Sequence, residues 1–236
     1  GLMLLRDIVI DGKYQELLEN ITLLFIPIFN VDGNERFGPY NRINQNGPEE
    51  MGWRTNARNL NLNRDFLKAD TKEMQHFLEL WNHWQPDFYI DTHATNGGDY
   101  QYPMTYIIEI FGGMEQGLTD WCAQDFLPEW EQRMEASGYP SFPYVTYRNW
   151  HDPRSGLVSR TSPPALSNGF AAQRNRPGLL LETHMLKPYH IRVEATYYSI
   201  LHTLEMLHRD HQAFRELVAR ADAFTASSEF RQQPFH

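Results

Sequence analysis

Three short apolar runs, each ending in a knot of polar residues, constrain this chain more than anything else in it. Residues 21–29 (ITLLFIPIF) run into Asn30-Val31-Asp32-Gly33, residues 88–92 (FYIDT) into His93, and Leu179-Leu180-Leu181 into Glu182-Thr183-His184. Near-continuous apolar runs of strand length suit strands buried on both faces. Helical stretches separate them. Residues 71–85 place Met74, Phe77, Leu78 and Trp81 on one face, with Asp70 as the cap and Pro86 as the stop. Helices are also expected over 2–10, over 114–137 with an interruption near Pro128, over 190–209 and over 212–224, with further strands over 104–111 and 144–147. Residues 30–33 read as a turn and 34–51 as a long loop with Gly-Pro at positions 38 and 47. Strands alternating with helices predict an α/β domain with helices on both faces of a mixed, mostly parallel sheet. In such sheets ligands sit outside the carboxyl ends of the strands, so the three polar knots belong together.

A second feature points the same way. Arg54, Arg58 and Arg64, with Arg42 upstream, are interleaved with Asn41, Asn56, Asn59, Asn61 and Asn63. Leu60 and Leu62 alternate with the last three asparagines, which is strand-like patterning. Arginine presents a fixed fork that matches a carboxylate with two parallel hydrogen bonds, and asparagine adds donors without charge. The cluster reads as a grip for a carboxylate, a phosphate or a developing oxyanion. The plainer alternative is a solvated loop whose arginines pair with Glu49, Glu50 and Asp65.

At the strand ends, His93 is placed to be a ligand or a base, or to bond a neighbouring backbone group, and it is followed by the small-residue stretch 94–99. Asp91, two residues earlier on the same side, can orient His93 or pair with an arginine. Glu182 emerges from a buried apolar run. It is either one half of a structural ion pair, with Arg174, Arg176 or Lys187, or a tuned acid/base. His184 either joins that site or belongs to the segment leading into the last long helix.

The rest of the composition narrows the field. A formal net charge of −9 argues against general nucleic-acid binding. The single cysteine, Cys122, excludes an internal disulfide framework and a multi-cysteine zinc site. No apolar run is long enough to span a bilayer, and neither compartment nor oligomeric state is legible. Residues 1–225 read as one domain and 226–236 as a polar tail. The opening GLMLLRDIVI reads as the inside of an amphipathic helix, which leads to the expectation that residues precede it.

The motifs NVDG at 30–33, WR at 53–54, NLNRDF at 61–66, DTH at 91–93 and LLLET at 179–183 stand in the order found in the zinc carboxypeptidases of the carboxypeptidase A type, which this chain resembles over residues 2–208. The resemblance implies a three-layer α/β/α fold around a mixed eight-stranded sheet, here lacking its first strands. It implies one zinc ion, with His93 as one ligand. It implies that Arg54 polarises the scissile carbonyl and that Asn63 and Arg64 bind the terminal carboxylate of a peptide. It implies that Glu182 activates water and passes its proton to the leaving amine. These roles suit peptide hydrolysis at neutral pH. Zinc lowers the pKa of water to about 7, a glutamate moves the proton, and one well-placed donor to the oxyanion contributes roughly 3–4 kcal/mol.

Two departures matter. The family's other two ligands come from a His-x-x-Glu segment ahead of the NVDG-type turn, and no histidine precedes Asn30. The pairs His76/Glu79 and His202/Glu205 come later, on predicted helices, and read as surface or packing residues. The two missing ligands are therefore expected from an upstream His-x-x-Glu. The family's active-site tyrosine also has no match, since Ser159-Arg160-Thr161 stand at that distance before Glu182; Tyr144, Tyr147 and Phe170 are the aromatic residues nearby in sequence. The leading expectation is a zinc-dependent metallocarboxypeptidase acting on peptides. The alternatives are an aspartoacylase-like deacylase or amidase acting on N-acyl amino acids, and a catalytically inactive carboxylate-binding module. No nucleic-acid or membrane partner is expected.

Overall fold

The computed structural model describes residues 1–95 and 99–232. Part of the small-residue stretch after His93 and the last four residues of the polar tail lie outside the described residues.

The chain begins with α1 (Leu2–Val9) and a 3-10 turn (Gln15–Glu19), then α2 (Val31–Glu35), a second 3-10 turn (Leu62–Arg64) and α3 (Lys72–Trp84). Strands β1 (Tyr89–Ala94) and β2 (Met104–Ile107) lead into α4 (Gln116–Asp120), a π-helical turn (Trp121–Phe126) and α5 (Leu127–Ala136). Then come β3 (Ser141–Pro143), β4 (Thr146–Asn149), β5 (Asp152–Val158), α6 (Ser167–Ala172), β6 (Gly178–Thr183), α7 (Tyr189–Arg209), α8 (His211–Thr225) and α9 (Ser228–Arg231).

The main sheet has the order β1-β6-β2-β3, and β4 and β5 form a separate hairpin. β6 runs parallel to β1 and antiparallel to β2, and β3 runs parallel to β2. The sheet is mixed, as expected, but the described residues form six strands rather than eight. Alternation along the strands splits the core in two. Ile90, Leu179, Leu181, Met104 and Tyr106 face the large core shared with α1, α5, α7 and α8. Tyr89 faces the smaller, aromatic core of Phe66, Met74, Phe77, Trp81 and Phe170, which α3 and α6 close from the other side.

Several local expectations are corrected. Residues 21–29 form no strand. Leu23 packs on the large core and Phe29 meets Phe77 edge-on at 5.6 Å, but Leu24, Ile26 and Ile28 remain 38–44% exposed. An apolar run specifies a dry environment, not a ladder partner, and no described strand pairs with this one. The asparagine-leucine alternation at 59–63 is not a strand either. Asn59 takes the left-handed conformation (φ 60°), and Asn61 caps the 3-10 turn by accepting from the Asn63 N–H. Asparagine favours such local bonds over ladders.

The cap of α3 is Thr71, whose hydroxyl accepts from the Met74 N–H, rather than Asp70. The buried Asp65 accepts from the Thr71 hydroxyl and from the N–H groups of Asp70 and Thr71, which locks the cap in place. Pro128 does not interrupt its helix. The turn before it widens to π geometry and the helix continues, since proline withholds an N–H from that turn. Residues 104–111 are strand only as far as Ile107. The polar tail begins with α9, whose Phe230 meets Phe224 edge-on at 5.7 Å.

Candidate active site

The NVDG turn is a cradle for the arginine loop. Asn30 caps α2 by accepting from the Gly33 N–H at 3.0 Å, and its amide donates onward to the carbonyl oxygens of Trp53 (3.4 Å) and Arg54 (3.2 Å). Asp32 accepts from the Ala57 N–H (2.9 Å), and the Trp53 N–H donates to the Gly33 carbonyl (2.6 Å). The two segments approach so closely that a Cβ on Gly33 would lie 2.3 Å from both the Asn30 amide nitrogen and the Trp53 oxygen. One on Gly52 would lie 2.7 Å from the Gly33 oxygen. Only glycine permits this contact, and the contact fixes where Arg54 leaves the backbone.

The asparagines proved mostly architectural. Asn56 is buried, accepts from the N–H groups of Arg58 and Leu60, and donates to Glu73 on α3. The arginines did not. Among the described residues Arg42, Arg54, Arg58 and Arg64 form no ion pair, so the reading that Glu49, Glu50 and Asp65 neutralise them does not hold.

The strand ends carry the remaining polar residues. Parallel register sets His93 directly beside Glu182, and Asp91 beside Leu180, all on the sheet face that carries the aromatic core. His93 Nε2 lies 2.7 Å from Asp91 Oδ2. Burial pulls the His93 imidazole towards its neutral form, but the carboxylates of Asp91 and Glu182 outweigh it and raise its pKa, with Arg54 opposing them. Burial also favours the neutral form of Asp91, yet the His93 contact keeps its pKa below the usual range. Glu182 behaves differently. Burial dominates, Asp91 adds to it, and the attraction of His93 and Arg54 does not compensate, so its pKa rises to about 7.

None of the plain partners proposed for Glu182 is engaged with it. Arg174 stacks on the Phe170 ring at 3.7 Å, Arg176 pairs with Asp222 at 2.8 Å, and Lys187 lies 4.0 Å from Asp99. Glu182 Oε2 is buried and has no hydrogen-bond partner among the described residues. A buried polar atom left unpaired costs free energy and calls for an ion, a water or a ligand.

Asp91, His93 and Glu182 therefore form one group, and the charge of Arg54 acts on His93 and Glu182. Asn63 and Arg64 stand on the neighbouring 3-10 turn, and no hydrogen bond or ion pair joins them to it among the described residues. Arg64 donates to the Asn63 carbonyl and lines a small cavity of about 130 Å³ with Asn61, Asp65, Lys68 and Thr71. His184 is fully buried, and the Tyr100 N–H lies 2.6 Å from its Nε2, so it holds the loop at Tyr100. Phe170 is part of the aromatic core. Tyr144 rises from the face that carries Glu182: Glu182, Thr105 and Phe142 are aligned across β6, β2 and β3, and Tyr144 follows two residues on. Its pKa is raised by burial and then by the Glu182 charge. Sequence reasoning gave Arg42 no separate role and could not choose among the three aromatics; strand register is the signal that singles out Tyr144.

These residues fit one side of a zinc site. His93 is held through Nε2 by a carboxylate, which leaves Nδ1 for a metal, and Glu182 presents an orphaned oxygen beside it. Among the described residues no three His, Cys, Asp or Glu side chains are grouped to hold a metal. His202 bonds Glu205 and Ser137, while His76 and Glu79 are exposed on α3.

Comparison with known proteins points to a family. Residues 2–109 match the model of the zinc carboxypeptidase family, a stretch holding four of the five motifs. The first half of the chain is thus similar to zinc carboxypeptidases. Its fold is similar to that of a metallo-carboxypeptidase from Pseudomonas aeruginosa, solved in complex with (2-guanidinoethylmercapto)succinic acid. The identity is 18% and the TM-score 0.55, over 87% of this chain and 50% of that one. A metallo-carboxypeptidase from Burkholderia cenocepacia matches at 16% identity and a TM-score of 0.46, over 68% of this chain and 41% of that one. The chain thus spans half or less of the length of these two structures. No curated protein matches it. No described helix is long and apolar enough to cross a membrane.

Proposed function

We propose that this chain forms part of a zinc-dependent metallocarboxypeptidase that releases the C-terminal residue of peptides. The observation that carries the reading is Glu182: a buried carboxylate with one orphaned oxygen, in register with His93. Zinc would supply the Lewis-acid chemistry that makes water a strong nucleophile at neutral pH. His93 would hold it through Nδ1, kept in orientation by Asp91. The two remaining ligands would come from a His-x-x-Glu segment outside these residues, since the described ones offer no further pair beside His93.

Glu182, with a pKa near neutrality, accepts a proton from water and returns it to the leaving amine. Arg54, whose backbone Asn30 holds, would face the scissile carbonyl, where negative charge develops. Asn63 and Arg64 take the free terminal carboxylate, which an internal peptide bond lacks, so the enzyme acts from the chain end.

One observation supports a second reading, a deacylase acting on N-acyl amino acids. Arg64 turns back onto its own backbone and lines a separate cavity instead of joining the group at Glu182. Hydrolysis of matched free-acid and amidated peptides by the full-length protein decides between them. For a carboxypeptidase, amidation abolishes turnover, and Arg64→Ala raises KM for the free acid about 10-fold or more. Turnover of N-acyl amino acids with none of peptides would establish the deacylase.

A further inference from the structure

Asp91 holds the His93 ring, and the fold brings one further side chain against that carboxylate. It comes from α6. The helix crosses the β1–β6 pair where Tyr89 is aligned with Gly178. A Cβ on Gly178 would lie 3.0 Å from both the Ala171 Cβ and the Asn168 Cα, so the helix rests directly on the strand there. On the β1 side, Phe170 meets Trp81 edge-on at 5.1 Å, and Trp81 meets Tyr89 edge-on at 5.4 Å. One helical turn before Phe170, on the same face of α6, is Ser167. Two residues after Tyr89, on the same face of β1, is Asp91. Residues 173–177 turn the chain back from α6 into β6, so the step back along α6 and the step forward along β1 lead the same way.

Ser167 is 1% exposed, and among the described residues no hydrogen bond to its hydroxyl is closed. A buried hydroxyl left unbonded costs free energy. Asp91 gives Oδ2 to His93, and a carboxylate accepts several donors. Burial favours the neutral form of Asp91; His93 and then the Ser167 hydroxyl oppose it and keep its pKa low. Donation from Ser167 to Asp91 relieves the unbonded hydroxyl and gives the carboxylate a second anchor, on an element separate from β1.

We propose that Ser167 is a positioning residue of this site: its hydroxyl donates to Asp91 and holds the carboxylate that orients the His93 ring. That the orientation serves a zinc ion rests on the reading above; the bond itself does not.

The test is a double-mutant cycle on the full-length protein, read first by denaturant unfolding of chelator-treated samples. Ser167→Ala should raise the unfolding constant about 10-fold. In an Asp91→Ala background the hydroxyl has lost its acceptor, so the same substitution should change the constant by less than about 2-fold or lower it. Ser162→Ala removes a hydroxyl that accepts from Asn168 instead, and it should cost the same in both backgrounds. Equal effects of Ser167→Ala in both backgrounds overturn the proposal, as does a Ser167→Ala variant as stable as the parent. The second measurement is zinc affinity by chelator competition. Ser167→Ala should weaken it about 3- to 10-fold, and Ser162→Ala should leave it unaltered. Coupling to Asp91 in unfolding, with zinc held as tightly by Ser167→Ala as by the parent, would reduce Ser167 to a structural anchor and overturn its positioning role. A parent that binds no zinc, with the coupling intact, would sink the metallocarboxypeptidase reading and leave the Ser167–Asp91 bond standing.

Discussion

Two histidines in this molecule face a glutamate, and their surroundings differ. His202 on α7 has both ring nitrogens engaged, Nδ1 with Glu205 at 3.0 Å and Nε2 with the Ser137 hydroxyl at 2.8 Å. Glu205 is in turn bonded to Arg133, which also holds Glu129, and Arg209 closes on Glu129 from the other side. Every group there has a partner, and the network staples α5 to α7. Among the described residues His93 bonds through one nitrogen, to Asp91, and Glu182 beside it has a buried oxygen with no partner. A helix offers the i, i+3 pair cheaply, since three residues bring side chains to one face. A site must be assembled from separate strands, and it keeps its unsatisfied atoms because a ligand is to satisfy them.

The comparison is broken or upheld most directly by turnover. Glu182→Gln preserves shape and removes the base, so kcat/KM of the full-length protein should fall by about 10²–10⁴-fold. Glu205→Gln should leave it within a few-fold of the parent. Equal losses from both variants would mean that the open and closed networks do the same work.

The next effect is on stability, measured by denaturant unfolding of chelator-treated protein. Glu182 has a folded pKa of about 7, above its ordinary value of 4.5. Below pH 4.5 it is protonated in both states and contributes nothing. Between pH 4.5 and 7 the unfolded chain releases the proton while the native state keeps it, so stability falls as pH rises, and above pH 7 the whole penalty is present. His93, whose pKa is raised, works in the same direction: its contribution is full below pH 6.5 and is lost as pH rises through its folded pKa. Glu182→Gln should therefore gain up to about 3 kcal/mol over the parent at pH 8 and almost nothing at pH 4. A gain independent of pH would show that Glu182 is neutral or already paired.

Much of the fold was legible because it depends on short-range pattern. The face of α3 made by Met74, Phe77 and Trp81 and the run Leu179-Leu180-Leu181 sit where periodicity put them. Residues 21–29 did not, because apolar pattern carries no information about which backbone supplies the hydrogen bonds. The residues expected at the site divide along the same line. His93 and Glu182 stand at the ends of strands paired in register, and they came together. Asn63 and Arg64 stand on a 3-10 turn set by the Asn61 side chain, and their aim depends on local bonds that spacing does not encode.

The smallest effect sharpens the comparison most finely, because it concerns the one partnered nitrogen of His93. Asp91 lies 2.7 Å from that nitrogen and is itself held ionised against burial by the contact. A carboxylate in this position fixes the ring's orientation and tautomer and raises the basicity of the opposite nitrogen. Asp91→Asn keeps the size and one acceptor but removes the charge, so zinc affinity of the full-length protein should drop by about 10- to 100-fold. Glu205→Gln makes the same change in the closed network and should leave zinc affinity unaltered. The competition experiment uses a chelator of known strength and reads bound zinc by elemental analysis. If Asp91→Asn held zinc as tightly as the parent, Asp91 would be a structural partner of His93, as Glu205 is of His202, and His93 would lose its claim to be a metal ligand. A loss in both variants would instead point to an effect of net charge, because each removes one negative charge from a molecule that carries −9.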